Sequence, residues 1–499
     1  MKFHEPGITA LFLFFIVSAM YISPLAEGYR FYDEAPENLV ENEEETTVEI
    51  EIPFWADFSE DTALDDEIEV YEIEDEIEDE IEDEITKENV KIVLREDLWT
   101  PEYDTCNAET IGGAMRFYGS NEAKERLYKL FQKLNALGAE DKGAMHIFHF
   151  GDSQIEGDRI TGRIRSSWQK TWGGSGPGLI PAIQPVPSLA VRQEYEGNIS
   201  RYTRFGKVDT TLGHNCYGGM AALSVVRDSA RIIVKSHPLG FRKNKTWQEV
   251  EVLFGAVPLG GTLKIFGQDT DTLISDIPPS TEGNHYSVTR KLMGVKEGLV
   301  ISVEGYSVDI TGIRLGSSNG VQIHNIPMRG SSGTIFSRLN KKNFKDYLQN
   351  WDVGMLILQY GGNAAPYISD SVSAERYSKR FGKQIRYIRS ILPEATVLVI
   401  GPSDMGQTID SMNISYPMLG NIRTAMREAT IREGGLFWDL CEVMGGAGTM
   451  EAWANTTPKL AAPDLVHFTV KGSRKIGEAL DRSFRAEYRT WEDEIRANK

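Results

Sequence analysis

The stretch His146-Ile147-Phe148-His149-Phe150-Gly151-Asp152-Ser153-Gln154 decides how this chain is read. Its first five residues form a short apolar run bounded by a glycine, the pattern of a buried strand. The residues from about 155 onward carry helical spacing, so Ser153 falls on a strand-to-helix turn. A serine there has its hydroxyl at the open edge of a parallel sheet. Its backbone N–H lies near a helix N-terminus, where unpaired donors and the helix dipole favour negative charge. Such a serine is a candidate nucleophile with half an oxyanion hole built in. Near the C-terminus, Asp464-Leu465-Val466-His467 places a carboxylate three residues before an imidazole. A neutral hydroxyl attacks slowly unless a base takes its proton and a carboxylate holds that base in the right tautomer.

The chain has 499 residues, enough for two or three domains, and its 41% hydrophobic content allows a large buried core. The formal net charge is −20, but residues 27–91 hold about 28 acidic and 3 basic side chains. The remainder is therefore near +5, and the acidity belongs to one segment. No basic stripe interleaved with aromatics offsets it, which argues against nucleic acid as a partner.

Residues 1–26 carry Lys2 and then an uncharged, mostly apolar run from Pro6 to Ala26. This length lies between a signal-peptide core and a membrane span, so the segment is a signal peptide or a membrane anchor, and either places the body outside the cytoplasm. Residues 27–91 follow as an acidic spacer. Within them Ile73, Ile77, Ile81 and Ile85 recur every four residues, a period that drifts around a helix and makes no lasting apolar face. Crowded like charges favour an extended, solvated stalk. Cys106, Cys216 and Cys441 are too few and too scattered for a disulfide framework or a thiolate metal site.

A folded body is expected from near Val90. Helices are expected at 121–137, about 155–171, 373–391 and 417–432, and buried parallel strands at 144–150, 355–359 and 396–400. The glycine-rich run Gly173 to Gly178 lacks the Lys-Ser/Thr ending of a phosphate loop and follows a helix, so it reads as a connection. Between 186 and 317 short alternating runs at 230–236, 249–254, 262–266, 286–290 and 299–305 are separated by Gly, Pro, Asn and Asp clusters. That texture predicts an inserted all-β sandwich. The division expected is 92–185 and 318–499 for one α/β domain, with 186–317 inserted in it. His146 and His149 form H-x-x-H, but on a strand that spacing points them to opposite faces, so they read as core residues. No cofactor and no metal is called for.

On these residues the chain resembles the SGNH (GDSL-like) hydrolases, whose name records a Ser, a Gly, an Asn and a His in separate blocks. Gly151-Asp152-Ser153-Gln154 matches the first block, with Gln at the position of the eponymous Leu. Asn325-Ile326-Pro327-Met328-Arg329-Gly330 suits the second, with Gly333 as a rival to Gly330. Gly361-Gly362-Asn363 matches the third, with Ala364 where an Asp often follows, and Asp464 with His467 matches the last.

The resemblance implies a flavodoxin-like parallel sheet flanked by helices and a Ser153, His467, Asp464 triad. It also implies an oxyanion hole made by Ser153, Gly330 and Asn363. The β insertion and the glycine-rich run look like the arrangement in bacterial peptidoglycan O-acetylesterases, which carry a carbohydrate-binding-like module inside the domain. An acetylated glycan of the cell envelope is then the expected substrate. Tyr195, Tyr202, Tyr217 and Trp247 of the insertion are candidates for stacking on sugars, against a plain role in the sandwich core. An O-acyltransferase using the same residues and a non-catalytic glycan-binding protein are the alternatives. Protein partners are not legible.

Overall fold

The computed structural model describes residues 116–140, 143–206, 208–267, 270–281, 283–292, 298–409 and 411–497. The apolar segment 1–26, the acidic spacer 27–91, the start of the body near Val90 and Cys106 lie outside the described residues. Among the described residues no helix is long and apolar enough to cross a membrane. Cys216 and Cys441 are buried and form no disulfide.

The first helix, α1 (Asn121–Glu140), buries Leu127, Leu130, Phe131 and Leu134 at helical spacing. Strand β1 (Ala144–Gly151) follows. Met145 and Ile147 face one side of it, Phe148 and Phe150 the other, and all four are buried. A strand covered on both faces shows a nearly continuous apolar run, which is why the sequence marks it clearly. After β1 comes a tight 3₁₀ turn, Ser153–Asp158, interrupted at Gly157 with φ +72°, and only then helix α2 (Thr161–Trp172). The continuous helix expected from about 155 is thus a kinked turn followed by a shorter helix. The break comes from consecutive left-handed residues, Gly157 and Asp158 (φ +63°), which no helix accommodates.

The glycine run from 173 to 178 connects α2 to the insertion by close backbone approach. A Cβ on Gly174 would lie 2.5 Å from the Val321 carbonyl oxygen and one on Gly176 2.5 Å from that of Leu315, and both residues have positive φ.

The insertion contains strands β2 (Gly178–Ile180), β3 (Val191–Thr203), β4 (Ala222–Ser236), β5 (Glu249–Phe254), β6 (Gly261–Gly267), β7 (Thr270–Ile277), β8 (Tyr286–Lys291) and β9 (Leu299–Gly316). All pair antiparallel. They share one core that includes Val250, Val252, Ile301, Val303 and Ile313. Every strand connects through β9, which pairs with β4 along one edge and with β5 and β6 along the other. Strands β4 and β9 are longer than the runs expected at 230–236 and 299–305. Both pass through a bulge between Val226 and Asp228, where exposed Arg227, Asp228, Glu304 and Tyr306 break the apolar alternation.

The chain returns to the α/β layer with β10 (Gly320–Pro327), α3 (Lys341–Gln349), β11 (Val353–Gln359), α4 (Ser371–Ile391) and β12 (Thr396–Ile400). A hairpin, β13 (Gly406–Ile409) with β14 (Met412–Ser415), precedes α5 (Leu419–Arg432), β15 (Leu436–Trp438) and the long helix α6 (Val470–Ala497). The parallel sheet has the order β10-β1-β11-β12-β15. Numbered among themselves, its strands run 2-1-3-4-5, the flavodoxin-like doubly wound order. In that order the chain reverses direction across β1, and ligands bind outside the carboxyl ends of the strands at such a reversal. Ser153 lies two residues past the end of β1.

Candidate active site

The sheet register gathers the motifs. Gly151 is level with Pro327 of β10 and with Gln359 of β11. The segments that follow these strands, Asp152 to Gln154, Met328 to Gly330 and Gly361 to Asn363, therefore leave the sheet side by side. The Met328 N–H donates to the Gly151 carbonyl at 2.7 Å, and the Asp152 N–H donates to the Gln359 carbonyl at 3.3 Å.

The imidazole arrives from the other end of the chain. Ser153 Oγ lies 2.9 Å from His467 Nε2, and His467 Nδ1 lies 2.6 Å from Asp464 Oδ2. The second carboxylate oxygen, Oδ1, accepts from the backbone N–H of Val466 at 2.9 Å and of His467 at 3.0 Å. This tight loop requires Leu465 at φ +57°, a left-handed conformation that costs on the order of 1 kcal/mol for a side chain of this kind. Leu465 is buried, and its carbonyl accepts from Gly406 N–H at 2.8 Å, so packing holds the strained turn. Burial alone would raise the Asp464 carboxyl, but the hydrogen bond and charge of His467, with the two backbone donors, hold it below the usual carboxylate range. An ionised Asp464 on Nδ1 fixes the proton there, which leaves Nε2 to accept from the Ser153 hydroxyl.

Arg159, which sequence reasoning missed, and Gln154, to which it gave no role, tie the serine turn to the histidine loop. The Arg159 guanidinium donates to the carbonyls of Phe468 (2.6 Å), Glu156 (2.9 Å) and Ser153 (3.4 Å), and Gln154 Nε2 donates to the Val466 carbonyl at 2.5 Å. Arg159 is 1% exposed. An arginine a few residues after a Gly-Asp-Ser turn, beside Asp158, carries no pattern of its own, whereas its burial identifies it at once.

The proposed oxyanion donors are partly assembled. Ser153 and Asn363 line one cavity, together with Asp152, Tyr360, Pro402 and Val466. Asn363 Nδ2 donates to the Ser331 carbonyl at 3.2 Å, which uses one of its two amide hydrogens and leaves the other for a ligand. Gly330, the residue before Ser331, does not line this cavity. It is exposed, with φ +73° and open space where a Cβ would stand. Gly333 differs, because a Cβ there would meet the Tyr360 ring at 2.6 Å, so that glycine is required by core packing.

Asp152 is nearly fully buried beside the serine, and burial pushes its carboxyl up to about 6, against the lowering effects of the Gln154 N–H bond and of His467. A carboxyl whose folded value lies above its unfolded value of about 4 stabilises the fold while protonated, and that contribution is lost as pH rises from about 4 through 6. The isosteric Asp152→Asn variant keeps the acceptor for Gln154 and removes the buried charge. It is expected to be more stable than the parent by up to about 3 kcal/mol at pH 7 to 8, with the gap closing near pH 4. Urea unfolding at a series of pH values measures this, and a gap independent of pH would refute it.

The other sequence candidates are structural. His146 Nδ1 lies 2.9 Å from His324 Nε2, and His149 lies between Gln359 Oε1 (3.1 Å) and Thr161 Oγ1 (2.9 Å). Both are buried and held neutral. Among the described residues no group of side chains is arranged to hold a metal ion. Of the aromatics considered for sugar stacking, Tyr202, Tyr217 and Trp247 are buried, which agrees with the plain packing role weighed against stacking, while Tyr195 on β3 is exposed.

No protein-family model matches the chain, and no curated protein matches its sequence. Solved structures do match. A peptidoglycan O-acetylesterase structure is 21% identical with a TM-score of 0.59, covering 75% of this chain and 99% of its own. A carbohydrate acetylesterase from Sinorhizobium meliloti is 13% identical with a TM-score of 0.25, covering 33% of this chain and 79% of its own, and bears no weight here. The chain has the SGNH-hydrolase fold, a parallel α/β sheet carrying an inserted antiparallel module, and in that fold it is similar to a peptidoglycan O-acetylesterase.

Proposed function

We propose that the chain is an exported serine esterase that removes O-acetyl groups from a cell-envelope glycan, peptidoglycan or a related polysaccharide. The observation that carries this reading is the unbroken relay from Ser153 Oγ to His467 Nε2 at 2.9 Å and from His467 Nδ1 to Asp464 Oδ2 at 2.6 Å. In the first half-reaction His467 takes the Ser153 proton as Oγ attacks the ester carbonyl carbon. The resulting oxyanion is held by the N–H group of Ser153 and by the remaining Asn363 amide hydrogen. Collapse of the adduct expels the sugar oxygen, which takes the proton from His467 and leaves an acetyl-serine. Water then attacks with His467 as base, releasing acetate and restoring Ser153. No cofactor enters the scheme.

The substrate class is supported by the similarity in fold to a peptidoglycan O-acetylesterase structure. It is also supported by the apolar segment 1–26 and the acidic spacer 27–91, which would present the body 92–499 outside the cytoplasm as a tethered or secreted protein. The test is to incubate the protein with O-acetylated peptidoglycan and measure acetate, with a chito-oligosaccharide acceptor present in a parallel sample. Free acetate supports the esterase, and acetyl groups recovered on the oligosaccharide would replace hydrolysis by transfer. Neither product, with an aryl acetate also untouched, overturns the reading. Asn363→Ala is expected to lower kcat on the order of 10²- to 10³-fold with little change in KM, because its donor acts on charge that develops only in the transition state.

A further inference from the structure

A second cavity lies between the insertion and the end of β10. Much of the wall is apolar, including Leu179, Ile180, Pro181 and Met220. Among its polar lining groups, most are already engaged. Asp158 is held by Arg165 through two bonds of 2.7 and 2.8 Å, and Asn325 donates to the Ile155 carbonyl and accepts from the Thr161 hydroxyl. Arg201, on β3, is the exception. It lines the cavity, its guanidinium carbon lies 5.8 Å from the centre of the Phe205 ring, its Nε is buried without a hydrogen-bond partner, and among the described residues it has no ion pair. The nearby carboxylate of Glu156 is taken by Arg329, through bonds of 2.6 to 3.1 Å. A half-buried guanidinium without an ion-pair partner in a cavity wall is poised for a ligand that supplies an anion. Burial pushes the Arg201 guanidinium down to about 10, partly offset by Glu156, so it remains charged at neutral pH.

The cavity belongs to the same unit as the serine turn. Asp158 closes the turn that Ser153 opens, and the Asn325 to Pro327 wall leads directly into Met328, whose N–H is bonded to Gly151. The wall of this cavity is thus continuous with the serine turn along the chain on one side and through the Met328 to Gly151 bond on the other.

We propose that this cavity is a subsite for a carboxylate-bearing sugar unit adjacent to the acetylated one, with Arg201 as the cation that pairs its carboxylate. The inference rests on the esterase reading for its place along the glycan. One positive charge without an ion-pair partner matches a singly charged, planar carboxylate, for which the guanidinium fork is suited. The apolar walls suit the C–H faces of a sugar ring.

The test compares an O-acetylated acidic oligosaccharide with the same compound after reduction of its carboxyl groups to alcohols. The unaltered protein is expected to favour the acidic form about ten- to hundred-fold in kcat/KM. Arg201→Gln, shown to be folded by its thermal transition, is expected to bring that ratio near one. Calorimetric binding of the two de-acetylated oligosaccharides gives the same comparison without chemistry. Equal handling of acidic and reduced forms by the unaltered protein overturns the subsite while leaving the esterase standing. A preference in binding that depends on Arg201, with no ester cleaved, would uphold the subsite and overturn the esterase.

Discussion

Ser153→Ala is expected to lower kcat for acetate release on the order of 10⁶-fold, to the residue of rate that binding and oxyanion donors supply without a nucleophile. The size follows from the role of the hydroxyl. Without Oγ no acetyl-enzyme forms, and His467 has only water to activate, at a position the cavity was not shaped to hold. The substitution should leave the fold intact. The backbone of the turn is set by Asp152 at its N-cap, by the Asp152 N–H bond to Gln359 and by Arg159, none of which uses the serine side chain. The measurement is acetate release together with a thermal transition of the variant. An unchanged transition and undiminished release would show that another group attacks the ester, and the assignment of the site would fall.

The same turn shows what was legible in the sequence and what was not. Strand β1 could be read because burial on both faces forces an apolar run, and the blocks at Gly361 to Asn363 and Asp464 to His467 could be read because each follows a strand or sits on a short turn. The parallel order was implied by family resemblance and is given by the register of β10, β1 and β11. What was missed depends on contacts between residues far apart in the chain. Arg159 reaches Phe468, 309 positions away, and periodicity within one segment cannot report such a bond. The kink at Gly157 and Asp158 was hidden for a different reason, since apolar spacing from 155 onward fits a helix while two positive φ angles interrupt it. The insertion was legible as β structure. The bulge that lets β4 and β9 run on past their apolar alternation was not, because exposed residues at a bulge look like the end of a strand.

Asp464→Asn is expected to lower kcat about 10⁴-fold with KM nearly unchanged. In the parent, Asp464 Oδ1 accepts two backbone N–H bonds and Oδ2 accepts from His467 Nδ1. An asparagine keeps its carbonyl oxygen on the two backbone donors, since the amide nitrogen would meet them donor to donor. That turns the NH₂ group toward Nδ1, which must then accept, so the proton moves to Nε2. An imidazole protonated at Nε2 has no lone pair for the Ser153 hydroxyl, and the base is lost without any change in position. Because His467 already holds the Asp464 carboxyl below the usual range, the parent keeps its ionised partner into mildly acid solution, and the deficit of the variant should persist from neutral pH to about pH 5. Steady-state kinetics across that range, with nitrogen NMR of the imidazole to read the tautomer, separates this account from simple misfolding. Full activity in the variant would show that Ser153 and His467 act as a dyad, and that the half-exposed Asp464 only shapes the loop.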